Sequence, residues 1–146
     1  MTAPTPTHDE AQKWLQAFHT ASATLNAHEW LETFTTPDVV FQYANNAPLS
    51  GREATTAMLH GVLSCLEKMT HEVLYFDYVP PRLYQAAMIE YVVKGDDTAT
   101  QTIRIPGFAV FWLVEEGGVV KCSRAETFLD PGEVLGRIRE KFGGEE

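Results

Sequence analysis

The sequence has 146 residues, of which 45% are hydrophobic and 11% aromatic, and its formal net charge is −9. This length suits one domain with a single core, and the apolar fraction is too high for a disordered chain. Because the chain is acidic and has no cluster of Lys and Arg, we expect neither nucleic acid nor an anionic membrane surface as a partner.

Two further features bear on the cellular compartment. The first residues lack the basic segment and apolar run of a secretory signal, and no apolar stretch reaches the roughly 18 residues that cross a bilayer. Cys65 and Cys122 each lie in an apolar segment, which favours reduced, buried thiols. We therefore expect a cytoplasmic protein.

The chain is expected to begin with a tail and two helices. Residues 1–7 are rich in Pro and Thr, which predicts a disordered tail before one domain over residues 8–142. The spacing of a capping box at residues 7–10 predicts a first helix of about five turns. A short second helix over residues 28–34 follows.

A strand and a third helix complete the first half. Residues 39–43 are β-branched and aromatic, which predicts a strand. A second capping-box spacing at residues 50–53 predicts a helix whose apolar positions continue to Met69.

The second half changes from helical to strand periodicity. Its four predicted strands cover residues 70–79, 83–94, 101–115 and 119–129. The pair Pro106-Gly107 predicts a bulge or bend that curves the sheet, and Gly117-Gly118 predicts a hairpin turn. The segment 130–133, with a Pro in the first turn, is expected to cap a last helix, and Gly143-Gly144 is expected to end it.

This order of elements favours the α+β class. Segregated helices and antiparallel strands predict a cone, with helices lining a curved, mainly antiparallel sheet around an apolar pocket. The pocket is expected to bind a small hydrophobic molecule. Because each long strand has apolar residues on both faces, we also expect a homodimer through the outer face of the sheet.

Four segments resemble the NTF2-like superfamily, in its SnoaL-like and scytalone-dehydratase-like branch. The resemblance covers about residues 8–130 and is carried by NAHEWLETFTTPDVVFQY, PLSGREATTAML, THEVLYFDY and PGFAVFWLVEEGGVVKCSRAETFLD. It implies a fold that hosts dehydratases, isomerases, cyclases, epoxide hydrolases and non-catalytic binders. For this chain it implies either a cofactor-independent proton-transfer enzyme acting on a polyketide- or terpenoid-like compound, or a ligand-binding or dimeric interaction module.

His71 and Tyr43 are the first catalytic candidates. His71 starts a predicted strand and falls on a catalytic histidine position of the scytalone-dehydratase-like relatives, and a neutral imidazole can accept or deliver a proton. Tyr43 matches a pocket tyrosine of those relatives, and its phenol can polarise a carbonyl. Alternatively, His71 is a structural histidine at the mouth of the strand, and Tyr43 is a core tyrosine whose hydroxyl lies at the surface.

Two positions depart from the pattern of these relatives. Asn26 falls near the acidic partner of the catalytic histidine, and an amide can orient a group but holds no charge. Met88 takes the position of their second histidine. Both are expected at the pocket.

A charged set in the apolar strands gives a second group of catalytic candidates. Glu90 lies in the segment AAMIEYVV, where a carboxylate is costly unless it is paired. Arg104, Arg124 and Glu126 are its plausible partners in neighbouring strands. They form either an acid/base network that anchors a substrate, or an ion-pair ladder on the outer face at a dimer interface.

Aromatic residues complete the predicted site. Most belong in the core, and the walls of the pocket are assigned to Trp14, Phe18, Phe108 and Phe111. The five histidines lack the spacing of metal ligands, and no glycine-rich phosphate loop is present. We therefore expect neither a metal nor another cofactor.

Overall fold

The structure, a computed structural model, describes residues 5–143. Its helices are α1 (His8–Ser22), α2 (Ala27–Phe34), α3 (Arg52–Leu63) and α4 (Gly132–Phe142). Its strands are β1 (Thr35–Tyr43), β2 (Leu49–Ser50), β3 (Leu66–Val79), β4 (Arg82–Val93), β5 (Ile103–Glu116) and β6 (Val119–Phe128). The four helices and one sheet confirm the predicted α+β cone.

The sheet has six strands in the order β2-β1-β6-β5-β4-β3. Every neighbouring pair is antiparallel except β1 and β6, which run parallel. The predicted hairpin turn at Gly117 and Gly118 is confirmed, and both glycines adopt positive φ angles, of 57° and 80°. Glycine adopts this conformation at little cost, so the tight β5–β6 turn forms there.

The two predicted capping boxes have different outcomes. At α1 the box is present: Thr7 Oγ1 accepts from the backbone N–H of Glu10, and the Glu10 carboxylate accepts from the N–H of Thr7. At α3 the predicted box is wrong, because the N-cap is Gly51, which has no side chain to accept a hydrogen bond. That helix also ends at Leu63 rather than Met69, since β3 already begins at Leu66.

The predicted cap of the last helix needs a similar correction. Its N-cap is Pro131, which makes no side-chain hydrogen bond to the helix. The carboxylate of Asp130 instead accepts from the N–H of Gly132.

Curvature arises at other positions than Pro106-Gly107. The β4–β5 ladder passes through the pairs Met88–Pro106 and Ala87–Gly107 without a change of register, so the predicted bulge is wrong. Irregular register occurs instead between Trp112 and Leu113, and twice in β3. A bulge bends its strand and increases the local twist, which curves the sheet around the helices.

One bulge changes which face the residues after it occupy. Between Val73 and Tyr75 the register slips by one residue, so Tyr75 and Asp77 lie on the opposite face from His71. The inner face packs on α1 to α3 and carries the core. The outer face bears exposed aromatic residues, with Tyr75 at 62% exposure and Phe128 at 50%.

A buried carboxylate fixes α4 to the β4–β5 turn. Asp96, whose side chain is 2% exposed, accepts hydrogen bonds from Arg137 and from Lys141, each with a contact at 2.7 Å. The hydrogen bonds from these two cations hold the pKa of the Asp96 carboxyl well below its usual range.

The predicted tail and the predicted end of the last helix lie partly outside the described residues. Residues 1–4 of the expected tail and Gly144 lie outside the described residues. Within the described part, Pro6 is buried, and its carbonyl oxygen accepts a hydrogen bond of 2.7 Å from the Tyr78 hydroxyl. The two cysteines are free thiols, with Cys122 buried and Cys65 partly exposed.

Candidate functional site

An apolar cavity lies between the helices and the inner face of the sheet. Its volume is about 90 Å³, and α1, α2, α3 and strands β1, β3, β4, β5 and β6 contribute to its wall. Ligand pockets for drug-sized molecules are typically about 300–1,000 Å³. In this conformation the cavity therefore suits a compact ligand, about the size of one ring.

The cavity wall contains two stacked imidazoles. His71 on β3 and His19 on α1 have ring centroids 4.3 Å apart and planes inclined by 18°. His19 Nε2 lies 2.8 Å from the side-chain oxygen of Gln85 on β4. The Nδ1 atoms of both histidines are buried and have no hydrogen-bond partner.

Burial keeps both imidazoles neutral. It lowers the pKa of His71 to about 3, and charge repulsion from His19 adds to the shift. Burial also lowers the pKa of His19, against the opposing effect of its hydrogen bond to Gln85. Both rings are therefore uncharged near neutral pH, and an uncharged imidazole can accept a proton.

A pair of phenols supplies further polar groups in the same cavity. Tyr43, at the end of β1, and Tyr91, on β4, both line it. Burial raises the pKa of Tyr43, and burial together with the neighbouring Tyr43 phenol raises the pKa of Tyr91. Both phenols therefore remain protonated at neutral pH and can donate a hydrogen bond to a ligand oxygen.

The predicted aromatic wall is correct in part. Phe18 and Phe111 line the cavity and pack edge-to-face, with ring centroids 5.2 Å apart. Trp14 stacks on Phe18 in the core behind this wall and is not a lining residue. Phe108 borders the cavity but is 37% exposed and also borders a groove on the outer face.

The charged candidates lie on the opposite face of the sheet. Glu90 and Arg104 are directly paired across β4 and β5. Along β4, Glu90 lies between Ile89 and Tyr91, which both line the cavity. Glu90 contacts Lys68 at 3.3 Å and Arg104 at 3.7 Å. Because successive strand residues point to opposite faces, the geometry agrees with the second predicted alternative, an ion-pair ladder on the outer face, and not with a pocket network.

Arg124 and Glu126 form a second, separate pair on that outer face. Their side chains are 2.9 Å apart on β6, and the guanidinium lies over the Trp112 ring at 5.7 Å. Among the described residues, the charged candidates thus form two separate ion-pair groups on the outer face, one around Glu90 and one between Arg124 and Glu126.

Asn26 and Met88, which depart from the pattern of the relatives, also lie outside the cavity wall. Asn26 is the N-cap of α2: its side-chain oxygen accepts from the backbone N–H of Glu29, and its amide donates to the Glu29 carboxylate. It borders a different, open cleft between α2 and α3. Met88 pairs with Glu72 and Pro106 and shares the outer face with Glu90. The prediction that these two residues line the pocket is wrong.

His19 and Gln85 are site residues that sequence reasoning missed. The apolar period of α1 includes Trp14, Leu15, Phe18 and Ser22, and position 19 lies on the same buried stripe. In β4, Gln85 shares its parity with Leu83 and Ile89, which are buried on the inner face. Both signals were present in the sequence, but only the fold brings these residues together.

A metal centre and a membrane-spanning helix are both absent from the described residues. Among residues 5–143, no group of three His, Cys, Asp or Glu side chains is arranged to hold a metal ion. Within the same part of the chain, no helix combines the length and the apolarity needed to cross a membrane.

Comparison with solved structures identifies similar folds. A protein of Jannaschia sp., provisionally named a SnoaL-like polyketide cyclase, is 13% identical with a TM-score of 0.70, over 94% of this chain and 97% of that one. A protein of Novosphingobium aromaticivorans, provisionally named a scytalone dehydratase, is 16% identical with a TM-score of 0.69, over 84% and 83%. An LEH-like epoxide hydrolase of M. tuberculosis is 11% identical with a TM-score of 0.67, over 92% and 93%.

The TM-scores support the fold, but at identities this low the chemistry has to be inferred from the site itself. No match was found among curated protein sequences. The family model of the SnoaL-like domain matches residues 11–122, which is most of the chain. The chain therefore belongs to the SnoaL-like family, whose fold accommodates small-molecule enzymes and ligand-binding proteins.

Proposed function

We propose that the protein is a cofactor-independent enzyme that transfers protons on a compact hydrophobic molecule, as a dehydratase, isomerase or cyclase does. The observation that carries this proposal is the neutral His71 imidazole in an apolar cavity, with its Nδ1 buried and unpartnered. A buried polar atom without a partner is costly, so its presence in a cavity favours a ligand that satisfies it.

The proposed chemistry begins with proton abstraction next to a carbonyl group. The C–H bond breaks, its proton moves to the His71 imidazole, and the bonding electrons form an enolate. The phenol of Tyr43 or Tyr91 donates a hydrogen bond to the enolate oxygen. The imidazolium then returns the proton. In an isomerisation the substrate carries a β,γ-double bond, so the enolate is a dienolate, and the proton goes to its γ-carbon. In a dehydration the enolate electrons form a C=C bond as the β-C–O bond breaks, and the departing hydroxide takes the proton and leaves as water.

The low basicity of His71 favours a substrate whose C–H bond is activated by a carbonyl group. With a pKa of about 3, His71 in the empty cavity is a weak base, since a general base works best when its pKa is near the operating pH. A carbonyl and the two phenols would make the substrate proton more acidic. The size of the cavity favours a single-ring member of the polyketide or terpenoid classes.

Solvent deuterium incorporation tests this function without knowledge of the natural substrate. Single-ring ketones would be incubated with the protein in D₂O, and exchange at the α-carbon would be followed by proton NMR. We expect the wild type to exceed the background rate and His71→Gln to lose the excess. His60→Gln, which replaces an exposed histidine of α3, is the matched control and should retain the excess. A wild type no faster than His71→Gln on every ketone would contradict the proposal.

A binding module is the second candidate function. It is favoured by the displacement of Asn26 and Met88 from the cavity, where the resemblance had implied partners for His71. Mass spectrometry of co-purified small molecules, combined with thermal-shift measurements, would identify a ligand. Equal stabilisation of the wild type and His71→Gln by that ligand, without deuterium exchange in either protein, would favour binding over catalysis.

A further inference from the structure

His19 contacts His71 through ring stacking, and Gln85 contacts His19 through a hydrogen bond. Gln85 is 3% exposed and His19 is 8% exposed, so water has little access to either residue. They come from different elements, β4 and α1, and are 66 residues apart in the sequence. Their 2.8 Å contact therefore links the helix to the sheet beside the proposed proton-transfer group.

We propose that Gln85 and His19 are positioning residues for His71. Gln85 Oε1 accepts the Nε2–H of His19 and so fixes the tautomer of that ring, and the fixed ring holds the His71 imidazole in its stacked orientation. This inference rests on the proposed function, in which His71 moves the proton.

The hydrogen-bonding capacity of a neutral imidazole supports this assignment. Only one of its two nitrogens carries a hydrogen, so a His19 ring that donates from Nε2 presents a lone pair at Nδ1. That Nδ1 atom is buried and unpartnered, as expected for a group with no donor in reach. The His71 Nδ1 has no hydrogen-bond partner either, so packing orients the His71 ring, and the stacked His19 ring is part of that packing.

The uncharged side chain of Gln85 also supports the positioning role. A carboxylate at this position would favour a charged His19, whereas an amide oxygen fixes the ring without holding a charge beside it. The other titratable side chains that line the cavity are the phenols of Tyr43 and Tyr91. The nearest charged residues of β3 and β4, which are Lys68, Glu72 and Glu90, belong to the outer face.

Ring ¹⁵N NMR of the histidines tests the positioning role directly. In the wild type at neutral pH, we expect the His19 resonances of a neutral Nε2–H tautomer, assigned by their loss in His19→Gln. In Gln85→Met, which keeps the side-chain volume but removes the acceptor, that single tautomer should be lost and the His71 resonances should shift. In Gln85→Glu, which retains an acceptor oxygen, the Nε2–H should persist.

Kinetics on the same variants separate positioning from overall structural damage. Gln85→Met should lower kcat for deuterium exchange about a hundredfold, with KM within about twofold of the wild type, because a misplaced proton acceptor costs mainly rate. Circular dichroism checks the fold of each variant. If Gln85→Met does not fold, the wild-type and Gln85→Glu spectra still decide the assignment.

Two results would overturn the inference. One is a wild-type His19 that carries its hydrogen on Nδ1, and the other is a folded Gln85→Met protein with unchanged His19 and His71 resonances. Failure of the proposed function would look different, because the wild type would then catalyse no exchange while the His19 tautomer still followed the nature of residue 85.

Discussion

Substitution of His71 by Phe should make the protein less sensitive to acid. Phe keeps an aromatic ring against His19 but has no nitrogen to protonate. In the wild type, burial lowers the pKa of His71 to about 3, whereas an unfolded histidine titrates near about 6.5. The unfolded chain therefore binds a proton that the folded protein refuses, and stability is lost progressively as the pH falls from about 6.5 to about 3.

The magnitude follows from these two pKa values. Between about pH 7.5 and about pH 4.5, this single group lowers the free energy of unfolding by about 2.5 kcal/mol. The lowered pKa of His19 acts in the same direction. The loss from Asp96 falls at lower pH, because its carboxyl pKa lies well below the usual range.

Urea unfolding at several pH values between these limits measures the effect. The difference in unfolding free energy between the two ends should shrink by at least about 1.4 kcal/mol in His71→Phe, which is one pKa unit of linkage. His60→Gln serves as the control and should keep the pH dependence of the wild type. An unchanged pH dependence in His71→Phe would refute the claim that His71 is held neutral.

Four further predictions concern packing and assembly. Asp96→Asn should lower the urea midpoint of unfolding, because it weakens the contacts of Arg137 and Lys141 with a buried carboxylate. Its control, Glu140→Gln on the exposed side of Arg137, should change the midpoint little. Gly61→Ala should stabilise the protein by about 0.5–1 kcal/mol in urea unfolding, since a Cβ in this exposed helical position meets nothing within 4 Å. Gly107→Ala places a Cβ 3.0 Å from Ile89 in the cavity wall and should weaken the binding of a cavity ligand, measured by titration calorimetry. The exposed outer-face residues Tyr75, Phe108 and Phe128 support the proposed homodimer, so light scattering should give twice the 16.3 kDa chain mass. Phe128→Glu should give monomers, whereas Val119→Glu at the hairpin tip should leave the dimer intact. A monomeric wild type at micromolar concentration would contradict this prediction.

The sequence predicted the type and order of the long elements better than their ends. The change from helical to strand period located β3 to β6, because a half-buried sheet requires alternation. The α3 boundary was misplaced because Leu66 and Met69 also continue the helical apolar period of residues 54–62. Pairing with β4 places Leu66 in a strand instead of the helix, since Leu66 lies opposite Val93.

The candidate site was predictable only where one residue could be judged alone. His71 and Tyr43 were placed correctly in the cavity wall. Glu90 was ambiguous because parity in a strand defines two faces without saying which is inner. His19 lies far from His71 in sequence, and only the packing of α1 on the sheet makes the two rings neighbours.

The most direct test of the account compares His71→Gln with Glu90→Gln in one deuterium-exchange assay. These substitutions remove the titratable groups at the two rival positions, one in the cavity wall and one on the outer face. We predict that His71→Gln loses the exchange activity and that Glu90→Gln retains it. The opposite result, with Glu90→Gln inactive and His71→Gln fully active, would contradict the placement of the functional site.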